Sequence, residues 1–235
     1  MTSTPKTYYN IAKVRYKRTN KGEMKMRAKD YRLCAWEKLR GNWGTAALTA
    51  FVYSVLLGLC SLPSAVPAIA FLGAALTLLV GAPLAYGFAI FILKLADGER
   101  ASTEILFRGF SSFGRAVLLQ LIINIFVALW TLLFIVPGII KAYSYSMSRF
   151  LAIEKPDLSA NEARKESMVL MNGHKWELFC LDFSFIGWWL LCILTLGILS
   201  FWIIPYTQAA RAEFFRRLMP KAREEQEETK FSPEG

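Results

Sequence analysis

The sequence predicts an all-α fold: a polytopic transmembrane helical bundle of six spans arranged as three hairpins, with four spans as the alternative. Three observations predict it. Charged residues are absent from Gly41 to Leu93, from Ala116 to Ile140 and from Phe183 to Ala210, and runs of that length are read as membrane spans. Hydrophobic residues make up 54% of the 235 and charged residues 20%, with a mean hydropathy of +0.34, too little charge to clothe a soluble surface. The Lys and Arg that give the net charge of +10 gather between the apolar runs, as flanks retained on the cytoplasmic side do.

Residues 1–23 read as a basic, disordered N-terminal tail ahead of a helical membrane domain, 24–218. Residues 24–40 read as an interfacial helix. Met24, Ala28, Tyr31, Ala35 and Leu39 recur at helical spacing with Trp36 beside them, and Lys25, Lys29, Arg32, Lys38 and Arg40 occupy most of the other face. That is the pattern of a helix lying among lipid headgroups. The first span, Trp43–Cys60, stops at Ser61-Leu62-Pro63-Ser64, a turn signal. The second, Pro67–Leu93, is over-long at ~1.5 Å per residue, so it is expected to tilt or to kink at Pro83. Along it Gly73, Thr77, Gly81, Ala85 and Ala89 stand four apart, a spacing that lets membrane helices approach closely.

The third span ends at Val136, and at Pro137-Gly138 the chain either leaves the membrane or turns back. Residues 141–182 hold Lys141, Arg149, Lys155, Arg164, Lys165 and Lys175. Placing them outside opposes the positive-inside bias. Pro137-Gly138 is therefore read as a hairpin tip and Ile139–Ile153 as a fourth span, with Lys141 and Arg149 snorkelling to opposite interfaces. Residues 160–171 read as a cytoplasmic helix opened by a capping box, Ser159 with Glu162. Glu162, Arg164, Lys165 and Glu166 are expected on its cytosolic face, and Ser167, Leu170 and Met171 against the bundle. A fifth span of Trp176–Leu196 and a sixth of Phe201–Phe215 follow, then a disordered acidic tail, 219–235. The three outer turns carry no charge, and both termini fall on the cytoplasmic side of a plasma membrane. A weak repeat introduces the hairpins: Gly41-Asn42-Trp43, Gly109-Phe110 and Gly173-His174-Lys175-Trp176, each read as a glycine C-cap before an aromatic.

Polar residues within spans are functional pointers. Gln120 and Asn124 share a helix face, and Tyr143, Tyr145, Arg149 and Asp182 complete an expected intramembrane polar cluster in which Arg149 pairs with Asp182. No catalytic residue is assigned, because the chain has no G-x-S-x-G, Walker loop or H-E-x-x-H. Cys34, Cys60, Cys180 and Cys192 stand alone and His174 is the one histidine, so neither metal nor cofactor is expected. The first forty residues hold no cleavable signal peptide, so an internal span is expected to start insertion. The basic balance points to anionic headgroups of the bilayer at the cytoplasmic face rather than to nucleic acid. The protein partner left open is a second copy of the chain or another membrane protein. The expected role is a non-enzymatic membrane scaffold or accessory factor. The alternative is a small-solute transporter or exporter, resting on the polar fourth span and the Pro-Gly break.

The run Leu129-Trp130-Thr131-Leu132-Leu133-Phe134-Ile135-Val136-Pro137-Gly138-Ile139-Ile140-Lys141-Ala142-Tyr143-Ser144-Tyr145-Ser146-Met147 resembles the signature of a bacterial integral membrane family, the domain of unknown function nine-seven-five. The similarity continues through Ser159–Ala163, Ser167, Met171–Lys175 and Ser184–Trp188, and ends in Pro205-Tyr206 and Phe214-Phe215, with Gly41-Asn42-Trp43 also fitting. The resemblance implies a multi-pass plasma-membrane protein of uncharacterised role. The chain is also broadly similar to the membrane domains attached to some glycerophosphodiester phosphodiesterases, which carry no catalytic residues themselves.

Overall fold

The computed structural model describes residues 27–231; the expected N-terminal tail, residues 24–26 of the expected interfacial helix and the last four residues lie outside them. Among the described residues every regular element is helical. Helix α1 (Ala28–Leu39) is followed by α2 (Trp43–Ser61), two short 3₁₀ turns (Leu62–Ala65 and Pro67–Ile69) and α3 (Ala70–Ala96). A 3₁₀ segment (Thr103–Ser112) leads into α4 (Phe113–Leu133), then α5 (Ile135–Tyr145) and α6 (Ser148–Glu154). The chain closes with α7 (Ala160–Leu170), α8 (Lys175–Phe183), α9 (Ile186–Leu194) and α10 (Ser200–Phe231). Among the described residues four stretches are long and apolar enough to cross a membrane: Trp43–Ala65, Ala70–Ala96, Thr103–Leu132 and Lys175–Leu194. The expected fourth and sixth spans are not among them, since α5, α6 and the turn between them carry Lys141, Ser144, Ser146, Ser148 and Arg149 and α10 ends in a charged stretch.

The reversals are set by local chemistry. Phe134 is extended (φ −158°, ψ 137°) and α5 starts at the next residue, so the chain turns three residues before the expected Pro137-Gly138 tip. Pro137 sits in the first turn of α5, where its missing N–H has no helical partner to lose. Gly138 lies against Thr131, where a Cβ would overlap the threonine side chain. From there α5 and α6 run back along α4: Lys141 stands 4.8 Å over the Trp130 ring, Tyr145 meets Phe126 at 6.4 Å, and Arg149 reaches Gln120. The other two reversals repeat this antiparallel register. Tyr53 of α2 stacks on Phe88 of α3 at 5.2 Å, and Phe185 meets Tyr206 of α10 at 5.0 Å.

The core lies at the end opposite these turns. Tyr31, Ala35 and Leu39 of α1 pack with Leu84, Phe91 and Ile92 of α3 and with Phe214, Phe215 and Leu218 of α10, all nearly sealed from solvent. Tyr31, Ala35 and Leu39 of the apolar face of α1 are thus covered by protein, while Trp36 beside them is 48% exposed. Tyr31 meets Phe214 at 5.3 Å, the Arg32 guanidinium donates to the Ser184 carbonyl at 2.7 Å, and the Tyr206 hydroxyl donates to the Arg32 carbonyl at 3.2 Å. The turn tips, by contrast, leave Leu62, Phe134, Ile135 and Leu196 exposed.

The glycine repeat divides. Gly41 and Gly173 have positive φ (88° and 77°), the left-handed geometry of a helix C-terminus. Gly109 instead serves a close crossing in which the 3₁₀ segment lies on the backbone of α3. A Cβ at Gly109 would overlap the Pro83 carbonyl, and one at Gly87 would overlap the Leu106 carbonyl. Helix α10 also continues to Phe231, so residues 219–231 are helical where the sequence predicts a disordered tail. Lys221-Ala222-Arg223-Glu224-Glu225-Gln226-Glu227-Glu228 is built of strong helix formers.

Candidate functional site

The small residues of α3 do two jobs. Gly73 is pressed against Ser64 of the first 3₁₀ turn, and a Cβ at Gly81 would come within 2.9 Å of the Leu57 side chain. The Thr77 hydroxyl donates back to the Gly73 carbonyl at 2.8 Å, and Ala89 is buried. These contacts hold α3 close to α2. Thr77, Gly81 and Ala85 also form one wall of a cavity of about 590 Å³. Tyr53 and Leu57 of α2, Gln120 and Asn124 of α4 and Arg149 of α6 complete the lining. The cavity is open to one side, with Ser64, Ala74, Thr77 and Asn124 exposed along it.

The break between α5 and α6 places Arg149 there. The Ser144 hydroxyl donates to the Ile140 carbonyl at 2.9 Å and the Ser146 hydroxyl to the Tyr143 carbonyl at 2.8 Å, back-bonding that bends helices. Ser167 of α7 donates to the Ser144 carbonyl at 2.8 Å, satisfying an acceptor at the break. Arg149 stands in the first turn of α6, and its Nη2 donates to Gln120 Oε1 at 2.9 Å. Gln120 Nε2 donates in turn to Asn124 Oδ1 at 2.8 Å. The result is a relay of donors, cation to amide to amide, along one face of α4.

The six residues expected to cluster go to three places. Gln120, Asn124 and Arg149 share the cavity. Asp182 does not meet Arg149; both its oxygens are taken by Arg211 of α10, from Nε at 3.0 Å and Nη2 at 2.8 Å. Tyr143 interacts with that carboxylate. Tyr145 turns to α7, where its hydroxyl accepts from Arg164 Nη1 at 3.4 Å. Arg164, expected on the cytosolic face, is instead 7% exposed, lying 4.0 Å over the Phe126 ring and bonded to Asn161 Oδ1 at 2.9 Å. Its spacing from Ala160, Ala163 and Ser167, all buried, is the helical signal that marks it for the inner face.

Among the described residues no ion pair involves Arg149. No group of three His, Cys, Asp or Glu side chains there is placed to hold a metal ion. The cavity lining offers a guanidinium, two amides, a phenol and two aliphatic hydroxyls (Ser64 and Thr77) among apolar walls. That set can bind and orient a negative group.

Fold and site together define a class: a helical chain with four helices long and apolar enough to cross a membrane, and a cationic cavity between its helices. The chain belongs to the family described as "Protein of unknown function (DUF975)", whose model matches residues 24–144 and 132–222. No curated protein and no solved structure matches it. The further likeness to membrane domains of glycerophosphodiester phosphodiesterases finds no support in these comparisons.

Proposed function

We propose that this is a multi-pass plasma-membrane protein of six spans in three hairpins, with both termini cytoplasmic, that acts as a non-enzymatic accessory factor by binding lipid. The antiparallel register of α5 and α6 against α4, and of α10 against α8 and α9, supports the three returns. Six crossings put Lys155, Arg164, Lys165 and Lys175 on the same side as α1, in keeping with the positive-inside bias. The exposed Arg27, Lys29 and Arg40 then face the anionic leaflet.

The chemistry of the cavity carries this reading. Its lining presents hydrogen-bond donors and one cation, a set that holds a negative group. The second reading, a small-solute transporter, draws on the same arginine and on the break at Ser146-Met147 beside it. Flux from reconstituted liposomes separates the two. For an accessory factor, release of radiolabelled inorganic phosphate and of short carboxylates matches that of protein-free liposomes. Protein-dependent flux that Arg149→Ala abolishes overturns this reading in favour of transport.

A further inference from the structure

We infer that the cavity is a binding site for an amphiphilic oxyanion, whose phosphate or carboxylate seats on the Arg149 guanidinium and whose apolar part lies along α3. The inference rests on the reading that these helices sit in a bilayer and names the ligand class of the lipid-binding role.

Charge selects the anion. A guanidinium carries five N–H donors in a planar fork that fits a carboxylate or phosphate. At Arg149 one of them is engaged, by Gln120 at 2.9 Å. No ion pair offsets the charge among the described residues, because Asp182 is held at both oxygens by Arg211. A part-buried cation with no ion pair between helices is costly, and a bound anion relieves that cost. The relay is also polarised for it. Gln120 presents its carbonyl to Arg149 and its amide N–H to the Asn124 carbonyl, and the Asn124 amide stands at the exposed edge of the same lining.

Shape selects the apolar tail. A volume of about 590 Å³ falls in the range of sites for whole small molecules and far exceeds a bare inorganic anion. Along α3 the lining runs from Ala74 to Ala85, about 16 Å at the helical rise. The charged and amide groups stand on the α4 and α6 side, while Leu57, Leu78 and Ala82 line the α2 and α3 side together with the hydroxyls of Tyr53, Ser64 and Thr77. The charged end of a ligand therefore seats at Arg149, and its apolar part has Leu57, Leu78 and Ala82 to lie against.

The test uses the full-length protein purified in dodecyl maltoside and follows its melting temperature. The additives are dodecyl phosphate, dodecanol, dodecyltrimethylammonium and inorganic phosphate. Dodecyl phosphate is expected to raise the melting temperature saturably, while the neutral and cationic amphiphiles of equal chain length do not. Arg149→Gln is expected to weaken the effect at least tenfold in half-saturating concentration. Ala85→Leu, which fills the cavity and keeps the charge, is expected to weaken it as well. Protection confined to dodecyl phosphate supports the proposal and assigns the anion to a lipid. Equal, Arg149-dependent protection by inorganic phosphate shows an oxyanion site with no seat for a tail and overturns the amphiphilic ligand. Equal stabilisation of the wild type by dodecanol, or unchanged affinity in a folded Arg149→Gln, overturns the proposal. Should Arg149→Gln fail to fold, the wild-type comparison decides alone. Solubilised protein is used throughout, so a negative result leaves the span count and the flux measurement standing, and protein-dependent flux does not undo a positive one.

Discussion

At the crossing of the 3₁₀ segment over α3 the two backbones leave no room for a Cβ at Gly87 or Gly109, and Gly109→Ala probes it directly. A Cβ at Gly109 overlaps the Pro83 carbonyl oxygen and comes within 2.7 Å of the Gly87 nitrogen and 2.8 Å of the Pro83 carbonyl carbon. Relaxed carbon contacts sit at about 3.5–4.0 Å, so the segment must lift by roughly an ångström and surrender contacts that Leu106, 0% exposed, makes beneath it. Overpacking of this kind costs about 1–3 kcal/mol. At roughly 2–4 °C per kcal/mol for a chain of this size, Gly109→Ala is expected to melt several degrees below the wild type in dodecyl maltoside, followed by circular dichroism. Gly87→Ala attacks the same interface from the other side and is expected to behave alike. The two strain one contact, so their combined loss should fall short of additivity. Gly58→Ala is the control. Nothing lies within 4 Å of a Cβ there, so the exchange should gain up to about 1 kcal/mol of helix propensity. A Gly109→Ala protein that melts with or above the wild type refutes the close crossing.

Three further outcomes follow from the structure. Asp182→Ala is expected to destabilise by about 1–3 kcal/mol because it strands Arg211. A double-mutant cycle with Arg211→Ala should give a coupling near 1 kcal/mol or more, while the cycle with Arg149→Ala should be additive within about 0.5 kcal/mol; the reverse pattern would restore the Arg149–Asp182 pair. At the start of α7 the Ser159 hydroxyl, and then its backbone N–H, hold the Glu162 carboxyl below the usual carboxylate range. A depressed carboxyl stabilises above its unfolded pKa and loses that contribution as pH falls through the folded value. The protection factor of the Ser159 amide, which donates to the Glu162 carboxylate, should therefore fall on acidification below the usual carboxylate pKa, and Ser159→Ala should lower the protection factor of the Glu162 amide already at neutral pH; protection factors that ignore both changes contradict the cap. Burial, with Glu213 next in effect, pushes the Cys34 thiol up to about 11. Alkylation of Cys34 measured by mass spectrometry should thus climb about tenfold per pH unit from 8 to 10, and a plateau near pH 9 would contradict the burial of α1 on the bundle.

The four longest apolar helices are legible in the sequence because an uncharged run of bilayer length suits little besides a membrane crossing. The cap of α7 is legible because Ser159 and Glu162 act within one turn. What escapes the sequence depends on contacts between distant segments. Pro137-Gly138 looks like the hairpin tip because both residues punctuate chains, yet proline is comfortable in a first helical turn, and the turn falls at Phe134. Sequence alone pairs Asp182 with the wrong arginine because its partner lies 29 residues on, across a reversal whose register no local pattern reveals. The face of α1 suits headgroups on paper because an apolar stripe looks the same whether lipid or Phe214 covers it. The stripe from Gly73 to Ala89 reads first as a packing face, with a pore-lining role as the lesser reading because Thr77 is its one polar residue. Its second role, as a cavity wall, appears only once Arg149 is carried to it by the break at Ser146. Gly87, off the four-residue spacing of that stripe, gives no signal at all.

The whole arrangement depends on the chain folding back at Phe134, so that α6 returns along α4 and Arg149 faces Gln120 inside the bundle. Single cysteines at Ser64 and Asp157, in a chain otherwise freed of cysteine, test this in intact cells with a membrane-impermeant maleimide. Ser64→Cys is expected to be labelled from outside, and Asp157→Cys only after permeabilisation. Labelling of Asp157→Cys in intact cells as readily as Ser64→Cys would place α7 on the outer face and contradict the return.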